Sequence, residues 1–470
     1  MKAAEHRRSL TRLAGPVYVE LLAGVVAGII NVVWVARLGA DAVAAVAVAT
    51  NVENLLLGVV LVAGSGTTVR VARARGAADP AAVRSAVRGG WTLWALITPV
   101  VALGGYLCRE PLARLVLGGE AGGEAPALAV AYFSIALPGI AVFYATHVVD
   151  AILKGMGDTR TPMRLSALAN VLILVLDPVL ILGLGMGVRG AAVATVLGRT
   201  AALGCGLVAL RRAKARREAM APEPRGPGAS PGLRRLAADA RRTAAIGLPM
   251  AADFLTRMAG TLALVRVVAG IGVGEVAAYG IATKAMYVAT MAFYAVRQAA
   301  SIRTAHLLGA GRDERRAVGR EALRLSGGLG LAAALTLLAA GPSLMRGFGA
   351  EGPVAEAGAL YLRCVGPYLV LLACFIALGG VFEGSGRSPA LARITACGTV
   401  TQLVGAYVLS GWGLPGICAA MALAMAAQCA ALAGLYGRTA RSGEASGPGA
   451  PSKEPAATPG PAVGDERRIP

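Results

Sequence analysis

One carboxylate sits where a carboxylate is costly. Asp177 lies in the apolar run ANVLILVLDPVLILGLGMGV (169–188), with Pro178 directly behind it. At about 1.5 Å of helical rise per residue, an acid some fifteen residues into such a run is on the order of 20 Å deep. A charge there must face a cavity, find a partner or take up a proton. Asp177 is thus a candidate proton carrier, or an acid solvated near the outer mouth of a helix bundle. Pro178 removes a backbone donor and is expected to bend the helix beside it. Asn31, polar and deep in the first apolar run, is either packing glue or a ligand in the same cavity.

Further ionisable groups interrupt other apolar runs. Glu20 and Asp253 occupy the inner half of their segments, with Arg257 four residues after Asp253 and so on the same helix face. Asp253 and Arg257 could neutralise each other, or Glu20 and Asp253 could form a gate or second proton site. Glu53, Lys284 and Arg297 are expected to line a cavity or its inner mouth. His147 and Asp150 share the inner end of the fourth run, where a lone His is most simply a packing residue. Pro16 is expected at a first helical turn, or as a hinge. With three His in the chain and no metal spacing among seven Cys, no metal cluster is expected. Neither GMGDTRTP (155–162) nor GSGRSP (384–389) ends as a nucleotide-cradling loop must, so energy has to come from an ion gradient. No nucleophile–base pair suggests an enzyme.

These groups must be positioned by membrane helices. Hydrophobic residues make up 56% of 470 and charged residues 15%, against about a quarter charged in soluble proteins. At about 20 residues per span, twelve spans are expected, at 16–38, 43–69, 89–108, 126–151, 163–184, 187–210, 245–270, 274–305, 321–345, 357–382, 390–411 and 414–436. The net charge of +20 is loop charge, without the interleaved aromatics of a nucleic-acid surface. Lys2, Arg7, Arg8 and Arg12, then Arg73, Arg75, Arg84 and Arg88, then Lys154, Arg160 and Arg164, then Arg312, Arg315, Arg316 and Arg320 fall in alternate loops. The other loops (185–189, 271–274, 412–413) are short. Both termini are therefore expected in the cytoplasm. The organisation expected is an N-terminus (1–15), an N-lobe (16–210), a basic linker (211–244), a C-lobe (245–436) and a disordered tail (437–470).

The halves repeat. Pro16 answers Pro249, Glu20 answers Asp253, and Arg70 with Gly76 answers Arg303 with Gly309, all at an offset of 233. Lys154-Gly-Met-Gly-Asp answers Glu383-Gly-Ser-Gly-Arg at an offset of 229, and 188–195 answers 414–421. Six spans per half place the repeats in one orientation, related by an axis along the membrane normal.

The stretches WVARLGADAVAAVAVA (34–49), GMGDTRTPM (155–163), 169–195, GLPMAADF (247–254), AAYGIATK (277–284) and LLGAGRDERRAV (307–318) resemble the multidrug and toxic compound extrusion (MATE) family, in its DinF-like branch. The resemblance covers roughly residues 10–436. It implies an all-α membrane protein, two six-helix lobes around a V-shaped cavity, and export of cationic amphiphilic compounds against inward protons or sodium. It implies a coupling site at Asp177, Asn31 and Thr195. In the branch pattern an aspartate stands at position 31 and an asparagine at 173; here they are Asn31 and Ile173. The other branch keeps acids where this chain has Arg257 and, near the tenth span, Leu372. A hard cation wants several oxygen ligands, so a proton is expected rather than sodium, and no cofactor. The expected partners are a small organic cation or amphiphilic metabolite and the lipid bilayer, with a monomer in a bacterial plasma membrane. Export of a lipid-linked or biosynthetic precursor, or altered coupling, is the alternative.

Overall fold

The computed structural model describes residues 2–117, 124–220 and 232–444, and every regular element in them is helical. In the first half these are α1 (Lys2–Ala36), α2 (Ala40–Gly76), α3 (Pro80–Leu107), α4 (Arg109–Leu117), α5 (Ala125–Gly155), α6 (Arg160–Pro178) and α7 (Val188–Met220). In the second they are α8 (Leu233–Ala269), α9 (Val273–Gly309), α10 (Arg315–Gly347), α11 (Gly352–Cys364), α12 (Gly366–Gly384), α13 (Ser388–Val408) and α14 (Gly413–Glu444). Local chemistry sets several ends. Asp79 caps α3 by accepting from the Ala82 N–H at 2.9 Å, with Pro80 at the first position. The turns leaving α5 and α12 each need a left-handed residue and use Gly157 (φ 78°) and Gly386 (φ 79°), which the repeat makes equivalent.

Eleven helices are long and apolar enough to cross a membrane among the described residues. The remaining expected span, the eleventh (390–411), is α13, which has 21 residues, about 30 Å; Gly398, Thr399, Thr401 and Gln402 dilute its apolar content. Four expectations are corrected. The link 109–117 is a helix, α4, whose run REPLARLVL is short and amphipathic. The tenth span breaks at Val365 into α11 and α12, with Pro367 just inside α12. Pro16 is not at a helix start: α1 begins at Lys2 because Leu10, Ala14 and Val17 pack on Ala295, Val296 and Val318 of α9 and α10. Helices also run through much of the expected linker and into the tail; 221–231 and 445–470 lie outside the described residues.

The halves cross at the end that carries the N-terminus, called the inner end below. α1 packs on α9 and α10, and α8 packs on α2 and α3, as the repeat requires. α2 and α9 meet at their last turns. A Cβ on Gly76 would stand 1.9 Å from the His306 carbonyl oxygen, and one on Gly309 the same distance from that of Arg73. Gly309→Ala is therefore expected to push backbone against backbone and cost about 1–3 kcal/mol. A thermal midpoint equal to wild type would contradict this close crossing.

Polar latches join the halves around the crossing. Arg70 donates to Thr243 Oγ1 at 2.7 Å, and Asp239 accepts from Ser85 and Arg88. His6 pairs with Glu314 at 3.0 Å and Arg303 with Glu5 at 3.2 Å. In the adjoining loop, hydrogen bonding from Arg315 holds the Asp313 carboxyl below the usual carboxylate range.

Away from this end the halves part. One stripe of α2 at helical spacing is buried at Gly58, Val62, Gly66 and Val69, then exposed at Leu55 and Asn51. The matching stripe of α9 is buried at Met291, Ala295, Ala299 and Ile302, then exposed at Val288 and Lys284. The buried parts of these stripes are covered by the crossing helices, Gly58 and Gly66 by Leu255 and Thr243 of α8 and Ala295 and Ala299 by Leu10, Ala14 and Val17 of α1, and both stripes lose that cover toward the other end.

Candidate coupling site and buried charge clusters

Asp177 stands at the penultimate position of α6, 1% exposed. α6 starts from a turn held by Asp158, which accepts from the N–H groups of Arg160 and Thr161 at 3.1 and 3.0 Å. Behind Pro178 the chain makes a π-helical turn, Val179–Gly183. This is the form taken by the expected bend, a wide turn of a kind frequent at functional sites. α7 lies tight against it: a Cβ on Gly190 would come 2.8 Å from the Leu180 carbonyl.

The side-chain amide of Asn31 on α1 donates to Asp177 Oδ2 at 2.8 Å. Asp177 Oδ1 is buried with no hydrogen-bond partner among the described residues. Ile173, one turn back, is 9% exposed and packs on Gly198 of α7. Thr195 is half-buried on α7 and makes no hydrogen bond to Asp177. The structure thus joins Asn31 to Asp177 and leaves Thr195 outside the bonded pair.

Two nearby groups escaped sequence reasoning. Tyr132 of α5 donates to Glu53 of α2 at 3.2 Å, and Arg199 of α7 approaches Glu53 at 3.9 Å while lying over the Phe143 ring. Arg199 is a charge in the middle of the sixth expected span, a signal of the same kind as Asp177.

The second half holds a denser cluster. Asp253, 2% exposed, accepts from Arg257 at 2.9 Å, from Arg297 at 2.8 Å and from the Thr395 hydroxyl. Arg297 Nε also donates to Glu383 at 2.8 Å. The expected Asp253–Arg257 pair is therefore part of a set of two guanidiniums and two carboxylates whose charges balance. Glu383 had been visible only as the repeat partner of Lys154. In the first half, Lys154 bonds Glu20 at 2.7 Å. Lys284 is exposed on the same stripe of α9 as Val288, apart from both clusters. No three His, Cys, Asp or Glu side chains converge as a metal site would need among the described residues.

Comparison with known proteins adds to this geometry. The MatE family pattern matches residues 16–179 and 249–408. A probable multidrug resistance protein NorM of Thermotoga maritima is 34% identical over 199 residues, 42% of each chain. A protein named FAD transporter from Shewanella oneidensis is 24% identical over 299 residues, 62% of each. The matches thus span less than two thirds of the length of these curated relatives. A solved structure described as the outward-facing conformation of a multidrug resistance MATE family transporter of the MOP superfamily superposes with a TM-score of 0.83. It is 22% identical, over 93% of this chain and 96% of that one.

Proposed function

This chain belongs to the MatE family, whose pattern covers both of its halves, and from that premise we propose that it is a proton-coupled efflux transporter. It exports small cationic or amphiphilic compounds by alternating access, without a cofactor, as a monomer in a bacterial plasma membrane with both termini in the cytoplasm. The observation that carries this is the Asp177–Asn31 pair: a buried carboxyl whose bonded partner is an amide and not a cation. A carboxylate in apolar surroundings with one neutral donor is costly as an anion and comfortable as an acid. It can therefore exist in two protonation states that favour different packings of α1 on α6. Sodium would need several oxygen ligands, and at 173 the chain offers Ile. The contact of the halves at the inner end and the exposure of the α2 and α9 stripes away from it support an outward-facing resting state, from which protonation of Asp177 would drive the return.

A second reading is export of an anionic precursor. The exposed cation Lys284 on α9 favours it, as does a relative named for FAD. One experiment separates the two. In proteoliposomes carrying a pH gradient and an enclosed pH dye, tetraphenylphosphonium is expected to dissipate the gradient, and a flavin nucleotide is not. Dissipation by the flavin alone would favour the second reading. Dependence on sodium in place of protons would overturn proton coupling.

A further inference from the structure

One face of α5 carries Tyr132, Phe143, His147, Asp150 and Lys154 at helical spacing. At its inner end Lys154 Nζ donates to Glu20 Oε1 of α1 at 2.7 Å, with both side chains close to fully buried. That pair is neutral in sum. Asp150, one turn before Lys154, is a second acid at the same ammonium. It is 8% exposed, and its Oδ1 has no hydrogen-bond partner among the described residues; Glu20 Oε2 is likewise buried and unpartnered. The charges that act on Asp150 are Lys154 on its own helix and Glu20 from α1. Farther along α5, His147 edges onto Phe143, and Arg199 from α7 is already shared with Glu53 of α2. α3 brings the indoles of Trp91 and Trp94 against this stretch, and Asp177 of α6 lies at the opposite end of the half.

The other half shows how such a place is neutralised when it is purely structural. The repeat relates Glu20 to Asp253, Gly64 to Arg297, Asp150 to Gly379 and Lys154 to Glu383. In the second half the Arg297 guanidinium fills the space that Asp150 takes in the first: a Cβ on Gly379 would lie 3.7 Å from its Cζ and Nε. Two acids there meet two guanidiniums, since Arg257 answers Gly24. In the first half glycines stand at 24 and 64, one cation faces two acids, and a unit of negative charge is left over in a buried site. The cheapest neutraliser for a buried surplus carboxylate is a proton.

We propose that Asp150, with Glu20 and Lys154, forms a second proton-binding site in the first half, at its inner end and separate from Asp177. Asp150 takes one proton as a neutral acid while Glu20 holds Lys154. On release the proton passes to water at the inner end, and the two carboxylates share the ammonium. Its role as a second station on the transport route rests on the proton-coupled reading above; its occupancy does not.

The test follows the infrared band of protonated carboxyls. The full-length protein is placed in phosphatidylethanolamine–phosphatidylglycerol liposomes and titrated with base. Asp150→Asn is expected to remove one titrating component and leave intact the one removed by Asp177→Asn. Lys154→Gln, which deprives two acids of their cation, is expected to shift the Asp150 component to higher pH; it also serves if the Asp150 variant does not fold. A wild-type titration in Asp150→Asn or in Lys154→Gln overturns the proposal. If Asp177→Asn is silent while Asp150→Asn loses its component, the coupling role of Asp177 fails and the second site stands.

Discussion

Asp177→Asn is expected to reduce export of a cationic dye to the level of vesicles without transporter, while the protein accumulates and folds normally. The two halves of this expectation have separate grounds. Asparagine has the shape of a protonated aspartate and keeps an oxygen that can accept from the Asn31 amide, now 2.8 Å from Oδ2. The bond survives as a neutral pair, and its change in strength is worth about 1 kcal/mol, too little to unfold the chain. Removing the proton is another matter. A transporter that moves protons through Asp177 needs the ionised and neutral forms to favour different packings of α1, and an amide holds the site permanently in the neutral one. Substrate can still bind, but the gradient can no longer bias the equilibrium. Dye efflux in intact cells, with expression checked by immunoblot, decides it. Export at the wild-type rate in Asp177→Asn would remove Asp177 from the mechanism and leave the buried pair as packing.

Asp177 could be found in the sequence because one acid within twenty apolar residues violates a rule that membrane helices obey locally. The architecture was legible for the same reason: span length, loop charge and a repeat of offset 233 all live in the one-dimensional pattern. Groups whose meaning depends on what lies opposite were not. Glu383 reads as a residue at a helix end until Arg297, 86 positions away, is seen donating to it. α4 was missed because nine residues carrying Arg109, Glu110 and Arg114 satisfy no span criterion, whereas Gly352–Cys364 could be folded into a neighbouring apolar run. Pro16 was misplaced because the basic start MKAAEHRRSLTRLA (1–14) hides Leu10 and Ala14, whose burial against α9 and α10 carries α1 inward past the proline. Polar residues at the inner end are helical because the other half supplies their partners, and that information is absent from the local sequence.

Arg297→Met is expected to be the most destabilising of the changes considered, at about 3–5 kcal/mol. Arg297 is 7% exposed and is the cation that both Asp253 and Glu383 use. Methionine fills much of the volume, so the loss is electrostatic and not a cavity. Asp253 keeps Arg257 at 2.9 Å and the Thr395 hydroxyl, so Glu383 becomes the uncompensated charge. That asymmetry yields a sharper expectation. Adding Glu383→Gln to Arg297→Met removes the orphaned anion, because replacing a buried ion pair outright costs far less than breaking it. The double variant should recover most of the lost thermal midpoint, although each single variant lowers it. The cycle of four proteins, compared by thermal aggregation in one detergent, isolates the coupling between the two groups. Additive losses would mean that Arg297 acts through Asp253 alone and that Glu383 is neutral as folded. A strong coupling would fix the second half as a rigid, charge-balanced wall. The unbalanced first half would then be the part whose protonation can change its packing.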